Sequence, residues 1–173
     1  IGDTQPPARP QRPVRPELLD PHDVPKRRAK GSKGRLALIH AIAHIELNAI
    51  DLAWDIVARF THLDLPRKFF DDWVGVAVDE ARHFGLLEEY LVGHNTSYGD
   101  FSAHDGLWQA AEDTSGDILA RLAIVPLVLE ARVLDATPPM IQKLHQVGDT
   151  QAAQILETIA AEEIAHVAAG VSW

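Results

Sequence analysis

Apolar residues recur three and four positions apart through most of this chain, and no convincing stretch alternates at every second position. The first helical stretch spans about 32–60, where Leu36, Ile39, Ile42, Ala43, Ala49, Ile50 and Ala53 recur at helical spacing. THLDLP at 61–66 reads as a turn. A second helix is predicted over 66–92, with Pro66 in its first turn and Gly93 as its C-terminal cap. GHNTSYGDFSAHDGLW at 93–108 is polar and glycine-bearing and reads as a loop. A third helix is predicted over 104–134. Thr137-Pro138-Pro139 then reads as an N-cap and first-turn prolines of a short helix ending near Gln146, and after VGDT a last helix covers 149–173. Four long helices, with a short extra helix before the last, make an all-α fold of the helical-bundle kind.

Residues 1–25 hold seven of the eleven prolines, which lack an amide donor and fix their own φ, so this segment is extended or disordered. The chain thus divides into a Pro-rich basic arm at 1–31 and a bundle at 32–173. Charge sharpens the division. Residues 1–35 carry nine of the sixteen Lys and Arg and four of the twenty-five acids, a net +5, which leaves −14 for the remainder. A body this acidic is a poor partner for nucleic acid. KRRAKGSKGR at 26–35 reads as a solvated linker folding onto that acidic body, with phosphate binding as the alternative. No run of 18 apolar residues exists, so no membrane span is expected, and without a signal-peptide pattern the expected location is cytoplasmic. The absence of cysteine excludes disulfides, thiolate zinc sites, iron–sulfur clusters and cysteine nucleophiles. The chain starts at Ile1 and stops in an apolar helical run at Trp173, and is expected to be an excerpt of a longer protein.

The candidate chemistry lies in two similar segments, AVDEARHFG at 77–85 and AAEEIAHVA at 160–168. Each holds Glu-x-x-His, which on a helix puts both side chains on one face: Glu80 with His83, and Glu163 with His166. Each is preceded by a glutamate on an apolar stripe. Glu46 has Ile42, Ala43, Ala49 and Ile50 as helical neighbours, and Glu130 has Pro126, Leu127, Val133 and Leu134. An unpaired buried carboxylate costs several kcal/mol, so such acids are protonated, paired or bound to metal. Glu46 precedes Glu80 by 34 positions and Glu130 precedes Glu163 by 33, an internal two-fold repeat of ligands. Four carboxylates and two imidazoles match a di-iron or di-manganese site inside a four-helix bundle, and oxygen with imidazole suits those metals. The alternative is an ion-paired core without metal. Glu88 also has partly apolar neighbours, so burial pattern alone does not select the ligands.

DEARH at 79–83, with EEIAH at 162–166 as its partner, resembles the Asp-Glu-x-Arg-His motif of bacterial multicomponent monooxygenases and ribonucleotide reductase small subunits, within the ferritin-like superfamily of di-iron carboxylate proteins. HAIAHIELNAIDLAWD, YGDFSAHDGLW, LEARVLDATPP and AEEIAHVAAGVSW resemble more closely a largely bacterial ferritin-like family, numbered 455 among the domains of unknown function. That resemblance covers about 17–173 and implies the fold and metal site without a settled substrate. In the resembling monooxygenases the acid before each ligand glutamate supports the histidine of the opposite helix. This implies Asp79 near His166 and Glu162 near His83, with ordinary surface pairing of Asp79 and Arg82 as the alternative.

The functional expectation is an O2-dependent oxidoreductase acting on a small organic substrate, with two iron ions (or a Mn/Fe pair) held by Glu46, Glu80, His83, Glu130, Glu163 and His166. It needs an external electron donor or reductase, because no electron-transfer cofactor motif is present. The first alternative is iron handling: ferroxidase activity, storage or peroxide removal. The Pro-rich arm and the interrupted fourth helix argue against a 24-subunit cage; a homodimer is the expected assembly, if any. The second alternative, a tRNA-modifying hydroxylase, is permitted by the basic arm and opposed by the acidic body. Pro126, inside a helix, bends it and either opens a cavity beside the metals or is a tolerated kink. His40 and His44, four apart on the first helix, have a spacing that can bind a metal, but Glu46 lies on a different face and they are expected to be half-buried or solvent-facing. Tyr98, His104 and Asp105 are expected to cap the third helix and pin the loop, with lining an entrance as the alternative, and the tryptophans to be core or interface residues.

Overall fold

A computed structural model describes residues 2, 4–25, 27 and 31–173, and only the backbone of Leu129 and Glu130. Of the basic stretch 26–35, residues 26 and 28–30 lie outside this description. The described chain is mostly helical. Helix α1, Gly31–Arg59, buries Ile39, Ile42, Ala43, Leu52, Ala53 and Ile56 on one side. That side packs along α2, Arg67–Gly93, the most extensive helix pairing in the molecule. Pro66 is the N-cap of α2 and not its first helical residue: its ψ of 147° is extended. Gly93 remains helical and His94 takes the C-cap. By length and composition alone α1 is apolar enough to cross a membrane, a property the count of unbroken apolar residues missed. Half of its most apolar window is buried inside the fold, and its buried face carries Glu46, Asn48 and Asp55.

The stretch 104–134 is several elements and not one helix. Strand β2, Ala103–His104, pairs in parallel with β1, Leu18–Leu19. Two residues are too few to show alternation, so nothing local announces this ladder. Helix α3, Gly106–Asp113, ends where the Thr114 hydroxyl bonds back to Ala110 O at 2.8 Å. Gly116 follows, and Asp117 starts α4, Ile118–Ile124, by accepting from the Leu119 and Ala120 amides at 2.8 and 3.2 Å. At Pro126 the backbone widens into a π-helical turn, Val125–Glu130. A proline cannot donate to the ladder, and π turns appear where one is interrupted. Pro126 packs on Gly170, where an added Cβ would lie 2.4 Å from the proline Cβ.

Helix α5, Ala131–Gln146, runs straight through Pro138 and Pro139, so the separate short helix expected before the last one does not form. Thr137 is inside the helix, its hydroxyl bonded to Val133 O at 2.7 Å. The lost amide bonds are offset by packing: Met140, Ile141 and Leu144 join a core with Ala152, Ala153 and Leu156. Helix α6, Thr150–Ser172, is capped by Asp149, which also accepts from Tyr90 Oη at 2.6 Å and Arg35 Nε at 3.0 Å. That triplet joins the N-terminal end of α6 to α1 and α2.

The N-terminal segment lies on the acidic helices. Arg12 Nε donates to Asp51 at 2.8 Å, Arg9 pairs with Asp105 and Glu112, and Arg27 donates to Ser102 O. Trp73 and Trp108 are buried, Trp173 packs edge-on against Phe69, and Trp54 is about half exposed. Among the described residues, the buried ion pair Arg121–Asp55 ties the α3–α4 break to α1.

Candidate metal centre

Glu46, Glu80, His83 and Glu163 are all buried, and one ligand atom from each lies within 4.8 Å of the others. The helices bring them together: Glu46 from α1, Glu80 and His83 from one face of α2, Glu163 and His166 from one face of α6. His83 Nδ1 is 3.2 Å from Glu46 Oε2, 3.3 Å from Glu80 Oε2 and 3.8 Å from Glu163 Oε1. His166 Nδ1 is 3.0 Å from Glu80 Oε1 and 3.4 Å from Glu163 Oε2. Glu80 and Glu163 therefore each turn one oxygen toward each imidazole, whose ring centres are 5.8 Å apart. The side chain of Glu130 lies outside the described residues; its backbone closes the π-helical turn before α5.

The far side of each imidazole faces an outer acid. His83 Nε2 is 2.7 Å from Glu162 Oε2, and His166 Nε2 is 3.4 Å from Asp79 Oδ2. Arg82 reaches both acids, Asp79 at 3.3 Å and Glu162 more closely. A carboxylate at Nε2 holds a proton there, so it is the inward Nδ1 proton that a cation would displace.

Three inward atoms, Glu80 Oε1, Glu163 Oε2 and His166 Nδ1, are buried without a hydrogen-bond partner among the described residues. His166 Nδ1 lies at hydrogen-bond distance from each of the two oxygens but off the required directions. Buried polar atoms are rarely left so, and lone pairs converging on a common point are the arrangement a cation satisfies. Charge agrees. Burial would lower the His83 imidazole, but Glu46, Glu80 and Glu162 outweigh it and push it up to about 10. Burial likewise opposes, and Glu163 and Glu80 outweigh it, in pushing His166 up to about 11. Glu46 is driven well above the ordinary carboxylate range by burial, with Glu80 and Glu163 adding repulsion. Burial also raises Glu163. Glu80 goes the other way: burial opposes ionisation, but the adjoining His166 and His83 imidazoles hold it down to about 2. The potential that retains protons on these imidazoles also favours divalent cations.

Two openings reach this centre. A cleft of about 410 Å³ between α2 and α6 includes Asp72, Asp79 and His166 in its wall. A mainly apolar cavity of about 350 Å³, walled by residues of α1, α3, α5 and α6, has Glu46 in its wall.

His40 and His44 are not half-exposed but buried, at 0% and 5%. They hold the 94–105 loop: His40 Nε2 accepts from the Gly99 amide at 2.8 Å, and His44 lies 2.7 Å from Tyr98 Oη and 3.0 Å from His104 O. Gly99 has φ +104°, and a Cβ there would meet Arg15 Cβ at 2.9 Å. Asp105 occupies the N-cap of α3 without a side-chain capping bond and pairs with Arg9 instead. Glu88 is exposed. Sequence reasoning missed the Asp55–Arg121 pair, and it offered a cavity beside the metals only as one reading of Pro126, which is not in the wall of the cavity at Glu46. Asp55 carried a usable signal, an acid with Leu52 three positions before it and Arg59 four after.

A family model described as a protein of unknown function (DUF455) matches residues 2–173. An uncharacterised protein of Haemophilus influenzae is 46% identical over 166 residues, covering 93% of this chain and 58% of its own length. The chain thus spans less than two thirds of that relative. No solved structure matches. With the match running over nearly its whole length, this chain belongs to the DUF455 family.

Proposed function

We propose that this chain is a ferritin-like four-helix bundle holding a dinuclear metal centre, with iron as the expected metal, and that it serves as an O2-dependent oxidoreductase on an organic substrate. The observation that carries the reading is the double role of Glu80 and Glu163, each offering one oxygen to the His83 side and one to the His166 side. In this reading α1, α2, the π turn with α5, and α6 are the four bundle helices, and Arg9 and Arg12 of the N-terminal segment pair with acids of α1 and α3. Glu46, beside His83, would be one further ligand, and Glu130, whose side chain lies outside the described residues, is the expected sixth. The donor set suits a Mn/Fe pair as well.

When bound, a redox-active pair supplies electrons to O2 and oxidising power toward the substrate. The chain's own residues bind and orient. Glu162 and Asp79 fix the imidazole tautomers, and Arg82 holds both acids in place. Leu87, Ala43 and Ile159 in the neighbouring core exclude bulk water. Electrons come from an external reductase. Iron storage or ferroxidase activity uses the same ligands, but an apolar cavity reaching Glu46 favours an organic substrate. The basic N-terminal side chains that pair with Asp51, Asp105 and Glu112 are engaged within the chain, which weighs against the tRNA reading.

The test is metal per chain after anaerobic Fe(II) loading, for the native sequence and for Glu80→Ala. About two irons per chain, falling sharply in the variant, support the centre. Binding near zero, or unchanged in Glu80→Ala, overturns it and leaves an ion-paired core.

A further inference from the structure

The cavity at Glu46 has a polarity that defines what it accepts. Its walls are Ile42, Leu107, Val133, Met140, Leu156 and Ile159, from α1, α3, α5 and α6. Glu46, at 2% exposure, marks its inner end, while exposed Arg132 lies on the solvent side. Arg132 has no acidic partner among the described residues. His104 also lines the cavity. Its Nδ1 accepts from the Gly106 amide at 3.2 Å, so its Nε2 carries the proton and is a donor. His104 is held in place by the β1–β2 ladder and by His44 bonding its carbonyl. Thr137 contributes little polarity, since its hydroxyl is engaged with Val133 O.

We propose that this cavity binds an amphipathic organic acid, its anionic group held by Arg132 and His104 and its hydrocarbon part directed inward to Glu46. The chemical class follows from complementarity. An otherwise strongly acidic body presents a cation and an N–H donor in the wall of an apolar cavity. A guanidinium recognises a carboxylate through paired N–H donors. The inner end is apolar apart from Glu46, which suits a hydrocarbon and not a second charge. At about 30 Å³ per water-sized group, 350 Å³ holds on the order of ten heavy atoms, a medium-length chain. As the substrate site of the dinuclear centre this rests on the reading above. It places the carbon to be oxidised away from the acid group and toward the chain end.

The test uses decanoate, decanol and decyltrimethylammonium as probes, titrated by calorimetry into the full chain with and without Fe(II), beside iron counts on the same samples. Decanoate should bind one per chain and more tightly than decanol, with decyltrimethylammonium weakest. Arg132→Gln should weaken decanoate about ten-fold while leaving decanol unchanged. Ala136→Trp, at an exposed position in the cavity wall, should abolish both. A thermal melt of each variant separates loss of binding from loss of folding. Absence of saturable binding by the folded native chain, a preference for the ammonium probe, or decanoate binding indifferent to both variants overturns the proposal. Decanoate binding with iron near zero overturns the metal reading alone, whereas two irons without decanoate binding overturns the ligand class alone.

Discussion

Asp55→Ala isolates the most deeply buried charge outside the candidate centre. Arg121 is 1% exposed. Its Nη1 lies 2.5 Å from Asp55 Oδ2, its Nε donates to Thr114 Oγ1 at 2.8 Å, and its Nη2 donates to Ala111 O at 2.5 Å. Asp55 is shared with Arg59, whose Nη2 is 2.6 Å from Oδ1. Removing the carboxylate leaves Arg121 two neutral acceptors, no counter-charge and a second guanidinium nearby. Breaking one side of a buried pair costs about 3–5 kcal/mol. For a chain of this size each kcal/mol moves the midpoint by about 2–4 °C, so Tm should fall by about 6–20 °C. Arg59→Ala removes a more exposed partner and should cost at most about 1 kcal/mol. Asp55→Leu with Arg121→Met, which removes both charges, should recover most of the loss. Urea unfolding followed by circular dichroism measures these chains together with Asp55→Leu and Arg121→Met alone, and the cycle formed by those two singles, their double variant and the native chain gives the coupling. Metal content should stay near native in Asp55→Ala, because Asp55 is nine residues, about 13 Å, along α1 from Glu46. A loss below about 1 kcal/mol in Asp55→Ala, or additive single effects, would refute the argument that Arg121 depends on this carboxylate.

Other outcomes follow from the same geometry. Gly170→Ala should destabilise the fold and lower iron content, because the new Cβ meets Pro126 at 2.4 Å and pushes on the turn that carries Glu130; a melt with a metal assay checks both. Glu162→Gln should keep the fold and weaken iron affinity about 10–100-fold, since it alters the acid that orients His83; competition against a chelator measures it. His40 is pushed down to about 4 by burial, with Arg27 adding to the shift and Asp100 opposing it. The folded state therefore holds it neutral where the unfolded chain, near 6.5, is protonated. Its contribution is full above about pH 6.5 and is lost as pH falls toward 4, by at most about 3 kcal/mol. Urea midpoints from pH 7.5 to 4.5 should show this decline, and His40→Gln should flatten it.

Helical spacing made much of the architecture legible, because a helix that buries one side must repeat its apolar residues near every 3.6 positions. Helices α1, α2 and α6 fall within a residue or two of the stretches read from that spacing. Local signals competed with packing elsewhere. Pro138 and Pro139 looked like a helix start, yet the apolar face of Met140, Ile141 and Leu144 against α6 keeps α5 continuous through them. Gly116 and Asp117 contained a break and a cap that the long apolar run obscured.

By itself, the sequence determined that the protein is mainly helical, that its N-terminal end is basic and its body acidic, and that Glu80 with His83 and Glu163 with His166 share helix faces. These are properties of single positions and of neighbours along one helix. Only the tertiary structure decided which oxygen faces which imidazole, that Leu18–Leu19 pairs with Ala103–His104, that Asp55 meets Arg121, and that an apolar cavity runs between Glu46 and Arg132. Each depends on the rotation and axial offset of one element against another. Those are set by interdigitation of side chains distant in sequence, for which no local spacing carries a signal.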